Sequence, residues 1–253
     1  MPLCSVRYRS ENESSFCFFF VLVNLNFISP QSIDYQSAFG IDWAKAETFE
    51  QENRKWIEPL LKKHNISYPL AMAVIFPELI RYSALRDKME ITLLKTLYIN
   101  LGEYYANFSI GQLQMKPSFA ESIRNKAPSV MNRRSGILFM NETEFSDIKN
   151  YRKSIVTDLE DPKIQFNYLI AFFKICEKKY SLKRMDEITR VKFLATVYNY
   201  GVDKSIDKVY GMMDKKFFNT RLFKTENYSY SDVSVYWYRK YLEKNQTEDL
   251  SLK

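Results

Sequence analysis

Between Leu70 and Ile80 the chain reads LAMAVIFPELI, in which Glu78 is the only charged residue. A helix with one apolar stripe can cover a core from outside, but a segment apolar nearly all round has to be enclosed by other elements. The fold must therefore wrap further chain around this segment. With 253 residues, 46% of them hydrophobic and 16% aromatic, there is enough to do so, and a disordered polymer is excluded. Six Gly and eight Pro are too few for a collagenous chain, a Gly-rich phosphate-loop enzyme or a turn-dense all-β fold.

The remaining pattern is helical. Residues 44–64 are amphipathic, with Ile57, Leu60 and Leu61 on one side. Ser67 and Pro69 form a start signal for the apolar helix, since proline in a first turn gives up no hydrogen bond. Further helices are expected over 89–101, 117–126, 162–180, 186–200 and 231–244, with the longest polar loop at 127–161. No strand alternation, internal repeat or low-complexity linker interrupts them. The expectation is an all-α chain with one helical domain over 34–253.

Ahead of that domain, residues 14–29 read SSFCFFFVLVNLNFIS, with Arg7 and Arg9 upstream. The apolar run Phe16 to Val23 is far short of the roughly 20 residues of a spanning helix. Residues 1–33 therefore read as a secretory signal peptide, with an apolar N-terminal arm as the alternative, and the protein is expected to be exported to a periplasmic or extracellular site. Of three cysteines, Cys4 and Cys17 lie in this segment, and Cys176, in LIAFFKIC, reads as a buried thiol. His64, the single histidine, reads as the exposed end of a helix. One His and one Cys cannot furnish a zinc set, so neither metal nor cofactor is expected.

Lys and Arg number 37 against 30 Asp and Glu, a formal charge of +7. Losing residues 1–33 would remove Arg7, Arg9, Glu11 and Glu13 and leave that charge unchanged. A basic protein suits an anionic partner: nucleic acid, anionic lipid or cell-wall polymer. The basic residues fall in scattered pairs, such as Lys62-Lys63 and Lys178-Lys179, without a nucleic-acid-binding motif. Cell-wall or peripheral membrane association fits better, and the chain is expected to be a monomer.

Three stretches carry chemistry. Glu78 sits among Val74, Ile75, Phe76, Leu79 and Ile80, where burial would disfavour its charged form and suit it to donate a proton. The alternative is a glutamate that points to water or pairs with Arg81 or Arg86. Pro77 is expected to kink or end this helix. The second stretch is Gly111-Gln112-Leu113-Gln114-Met115-Lys116-Pro117, preceded by Ser109, in which Gly111 permits close backbone approach and Gln114 offers a donor and an acceptor. The third is Ala195-Thr196-Val197-Tyr198-Asn199-Tyr200-Gly201, where an aromatic face and an amide meet at a helix stop, the combination that sugars require. The aromatic segment 228–241 either packs on the core, as ring spacing suggests, or extends a groove.

Taken in order, these stretches resemble the lytic transglycosylase and goose-type lysozyme superfamily, whose usual strings are E-S, G-L-M-Q-x-x-P and A-x-x-Y-N-x-G. The likeness spans roughly Leu70 to Gly201. It implies a lysozyme-like helical fold, here with an inserted helix between Glu78 and Gly111 and extra C-terminal helices. It also implies Glu78 as catalytic acid/base, with Gln114, Tyr198, Asn199, Gly111, Ser109 and Met115 as substrate-binding residues and peptidoglycan glycan strands as partner. The implied reaction is cleavage of the MurNAc–GlcNAc bond to a 1,6-anhydro product. Asp87, Glu90, Glu103 and Asp158 remain open as a second carboxylate for hydrolysis. The chain departs from the family in Leu79, where serine is usual, and in Pro77, Gln112 and Leu113; the first two leave a catalytically silent peptidoglycan-binding protein open as an alternative to the enzyme.

Overall fold

The computed structural model describes residues 33–84, 88–219 and 226–251. The signal-peptide reading falls on residues outside these. Asp34 caps α1 (Tyr35–Phe39) by accepting from the Gln36 and Ser37 amides, and α2 (Ile41–Lys63) follows after Gly40. The C-terminus of α2 closes with Asn65 at φ 55°, the Ile66 and Asn65 amides donating to the Leu61 and Lys62 carbonyls. This turn folds His64 inward. Contrary to its reading as an exposed end, it is only 8% exposed, and burial together with Lys63 and Lys174 holds its pKa below the ordinary value.

The apolar segment becomes α3 (Tyr68–Ala84), and every residue from 71 to 80 is buried. Side chains of this kind contribute about 1.5–3 kcal/mol each when taken out of water. Pro77 does not end the helix. It removes one backbone bond, while enclosure by neighbouring helices keeps the remaining turns in place.

A second group of helices follows: α4 (Lys88–Leu101), α5 (Pro117–Lys126), α6 (Ile148–Glu160) and α7 (Pro162–Lys179). α4 packs on α6, and α5, α6 and α7 pack on one another. α6 lies inside what reads as the longest loop. Its turns carry many charges, but Tyr151, Ile155, Val156 and Leu159 line up on one buried face and Asp147 caps its start. Asp161 ends α6 and caps α7 through the Lys163 amide at 2.8 Å.

α8 (Glu187–Tyr200) and α9 (Ile206–Met212) lead to an antiparallel pair, β1 (Lys216–Phe218) and β2 (Tyr228–Ser229), and then to α10 (Tyr230–Ser251). α3 is packed by α2, α8 and α10. The Phe76 ring meets Trp43 of α2 edge-on at 4.7 Å and stacks on Trp237 of α10 at 5.1 Å. Tyr228, Tyr230, Trp237 and Tyr238 are buried, so most of the aromatic segment serves the core. Cys176 is a buried free thiol. The class is all-α. Among the described residues no helix is long and apolar enough to cross a membrane, and no cluster of His, Cys, Asp and Glu forms a metal site.

Candidate active site

A cleft of about 550 Å³ opens where α3, α5, α8 and the turn before α5 meet. Glu78 reaches it from the third turn of α3. Its side chain is nearly sealed, at 3% residue exposure. Arg81, one turn further along the same face, donates from Nη1 to both carboxylate oxygens at 3.0 and 2.9 Å. The Arg81 guanidinium lies over the Phe218 ring at 4.9 Å, which limits its swing. Two of the sequence alternatives thus hold together: the acid is buried and it is paired with Arg81.

Opposing influences act on the Glu78 proton. Burial raises its pKa and is the largest effect; the Arg81 charge, the Tyr230 hydroxyl, the Arg81 hydrogen bond and the Lys116 charge lower it, and the balance stays above the ordinary glutamate value. The Tyr230 hydroxyl has the Val74 carbonyl, 3.1 Å away, as its alternative acceptor. The outcome is a carboxyl group that takes up a proton more readily than a surface glutamate and has a cation beside it when it gives the proton away.

The second stretch forms a tight turn. Ile110 and Met115 exchange both backbone hydrogen bonds, at 2.9 and 3.1 Å, and the Gln114 amide donates to the Gly111 carbonyl at 3.1 Å. Gln165 of α7, fully buried, clamps the turn from below, accepting from the Leu113 amide at 3.0 Å and donating to the Ile110 carbonyl at 2.8 Å. Gln114 is held at φ 48°, an uncommon backbone for a side-chain-bearing residue. Its Nε2 donates to the Gly111 carbonyl at 2.9 Å, while Oε1 is buried without a partner and so remains an acceptor for a ligand at the cleft wall.

Six of the seven site residues named from the sequence line this cleft: Glu78, Ser109, Gln114, Met115, Tyr198 and Asn199. Gly111 does not. At φ 70° it backs onto α6 and α7, where a Cβ would stand 2.3 Å from the Leu159 carbonyl oxygen and 2.6 Å from Gln165 Nε2. Its part is to let the turn approach the helices. The Tyr198 hydroxyl is also committed, donating to the Leu113 carbonyl at 2.8 Å, so this residue offers the cleft its ring and ties α8 to the turn. Asn199 is half-buried beside it.

Comparison with protein-family models, curated proteins and solved structures finds no match. The cleft therefore has to be read from its own chemistry. Of the open carboxylates, Asp158 is bound by Arg124 and Tyr168, each at 2.8 Å, and Asp87 lies outside the described residues, as does the Glu90 side chain. Glu103 lines the cleft, and so does Glu121, a residue that sequence reading passed over. Glu121 accepts from Tyr98 at 2.5 Å, and its burial, with Glu103 close by, raises its pKa despite that bond. Gln165 and Tyr230 also escaped notice. An amide between the apolar Ile164 and Phe166 of α7 was a signal for Gln165, whereas nothing local singles out Tyr230 from the other tyrosines of its segment. The cleft can donate and accept a proton at one buried carboxyl, offer amides and hydroxyls to polar groups, and present the Tyr198 and Phe119 rings.

Proposed function

We propose that the protein is a lytic transglycosylase that cleaves the MurNAc–GlcNAc bond of peptidoglycan, with a lysozyme-like arrangement of its helices. One observation carries this reading: three stretches spread over more than a hundred residues of chain converge on one cleft, with a buried carboxyl group at its head. Protonated Glu78 gives its proton to the glycosidic oxygen as the bond to C1 breaks. The resulting carboxylate, steadied by Arg81 and Tyr230, then takes the proton of the muramic acid C6 hydroxyl as that oxygen bonds to C1. The acid is restored and a 1,6-anhydro ring closes. The net positive charge holds the protein near an anionic wall, and export through residues 1–33 belongs to the same reading.

The Arg81 clamp favours a second reading. A guanidinium nitrogen shared between both oxygens stabilises the carboxylate, and a protein whose glutamate stayed ionised would bind glycan without cutting it. Incubating wild type and Glu78→Gln with peptidoglycan, with mass spectrometry of the released muropeptides, separates the two. Anhydro-muropeptides from wild type, reduced about 10²–10⁴-fold in the variant, are expected. Reducing-end products would make the protein a hydrolase using Glu103 or Glu121, and sacculus binding without release would make it a glycan-binding protein.

A further inference from the structure

A second and larger cavity, of about 1020 Å³, is tied to the cleft by hydrogen bonds, although none of the described residues lines both. The segment Gly201–Lys204 lines the cleft. On the other side Lys179 donates to the Val202 and Lys204 carbonyls at 2.6 and 2.9 Å, and Tyr180 donates to the Lys204 carbonyl at 3.0 Å. Both Lys179 and Tyr180 line the second cavity, so these two side chains and the segment they bond lie between the two spaces.

This cavity has a distinct chemistry. Ile66, Phe173, Leu182 and Leu194 form a buried apolar floor. Lys174, Lys178, Lys179, Lys183, Arg184 and Arg190 stand around it, against the single acid Glu177, which Lys174 already binds at 2.8 Å. Lys178, Lys179 and Arg190 are turned to backbone carbonyls. Lys183 and Arg184 are exposed and have no ion-pair partner among the described residues. Cations gathered around one concavity focus a positive potential into it. The occupant such a site suits carries carboxylates and short alkyl groups together.

We propose that the second cavity binds an acidic peptide branching from the glycan held in the cleft, with peptide carboxylates on Lys183 and Arg184 and alkyl side chains on the floor. The assignment of the peptide as a branch of the substrate rests on the proposed function; the affinity for an acidic peptide does not. Five extended residues reach roughly 17 Å, longer than a lysine side chain together with the backbone it bonds. A bilayer is a poorer match, because the apolar residues lie at the bottom of a concavity. Single-stranded nucleic acid is poorer still, because Phe173 and Tyr180 are buried and present no open ring for base stacking.

The test is calorimetric titration of the whole protein with a synthetic pentapeptide carrying two free carboxylates, alongside the same peptide fully amidated. Saturable, salt-sensitive binding of the acidic form is expected, weakened at least tenfold in a Lys183→Glu, Arg184→Glu double variant and unchanged in Glu78→Gln. An unchanged melting temperature shows that the double variant folds. Absence of binding, equal binding of the amidated peptide, or full affinity in the folded double variant would overturn the proposal. So would a charge-reversal effect confined to anionic vesicles or to single-stranded DNA. Peptide binding by a protein that releases no muropeptide would overturn the enzymatic reading and leave this site standing.

Discussion

At the scale of residues, Glu78 sits at odds with stability. A buried carboxyl whose pKa is raised binds its proton more tightly in the folded state than in the unfolded chain, so folding is unpenalised in acid and loses stability as pH rises through the ordinary value of 4.5 towards the folded one. Above that window the deficit stays constant. Glu78→Gln has no such proton to lose. The melting temperature of wild type, measured relative to this variant, is therefore expected to decline as pH increases past 4.5 and then level off. A difference that stays flat across that range would mean that Arg81 and Tyr230 offset burial, and one that runs the other way that they outweigh it. His64 acts in the opposite direction, since a buried imidazole held neutral loses stability as pH falls through 6.5. The comparison therefore has to be made between variant and wild type and not from one curve. Burial of Glu78 was legible in the sequence because its neighbours are apolar on every side. The clamp geometry was not, since Arg81 could equally have turned to solvent.

At the scale of elements, the turn before α5 depends on contacts that its own sequence only partly declares. Gly111 and Gly201 both have positive φ, 70° and 113°, and both are strained when a side chain is added. At Gly201 an added methyl group would have nothing within 4 Å of it, whereas at Gly111 it would overlap the Leu159 carbonyl. Gly201→Ala is expected to cost about 1–3 kcal/mol from the backbone alone. Gly111→Ala adds a steric overlap worth about 1–3 kcal/mol more, and it displaces Gln114. Urea unfolding measures the order of the two; a costlier Gly201→Ala would refute the packing described for this turn. The short helix after Pro117 and the long α7 follow from their start signals and apolar faces. α6 did not, because its buried stripe of Tyr151, Ile155, Val156 and Leu159 is diluted by Lys, Arg and Asp on the other faces. Gln165 had a visible oddity, a polar residue in an apolar helix, but its partners lie more than fifty residues away.

At the scale of the molecule, the two ends of the described chain meet. Asp34, ahead of the first helix, accepts from the Tyr236 hydroxyl at 2.5 Å, and Arg54 of α2 donates to Tyr241 at 2.7 Å. α10 thereby closes one side of α3 and brings Tyr230 against the Glu78 carboxyl. A chain ending at residue 219 keeps all three stretches of the cleft but leaves Phe76 and its neighbours uncovered. It is expected to show no cooperative thermal transition by circular dichroism, and a two-state melt near that of the full chain would contradict the part given to α10. The all-α class was legible from helical periodicity and sparse glycine, while the closing role of α10 comes only from long-range packing. Its position in the chain has a temporal consequence. During synthesis the glutamate, the amide turn and the tyrosine ring all join the chain before α10 does, so a growing polypeptide holds every piece of the site without the surroundings that tune its acid. The enclosure that raises the Glu78 pKa is complete only when that helix docks.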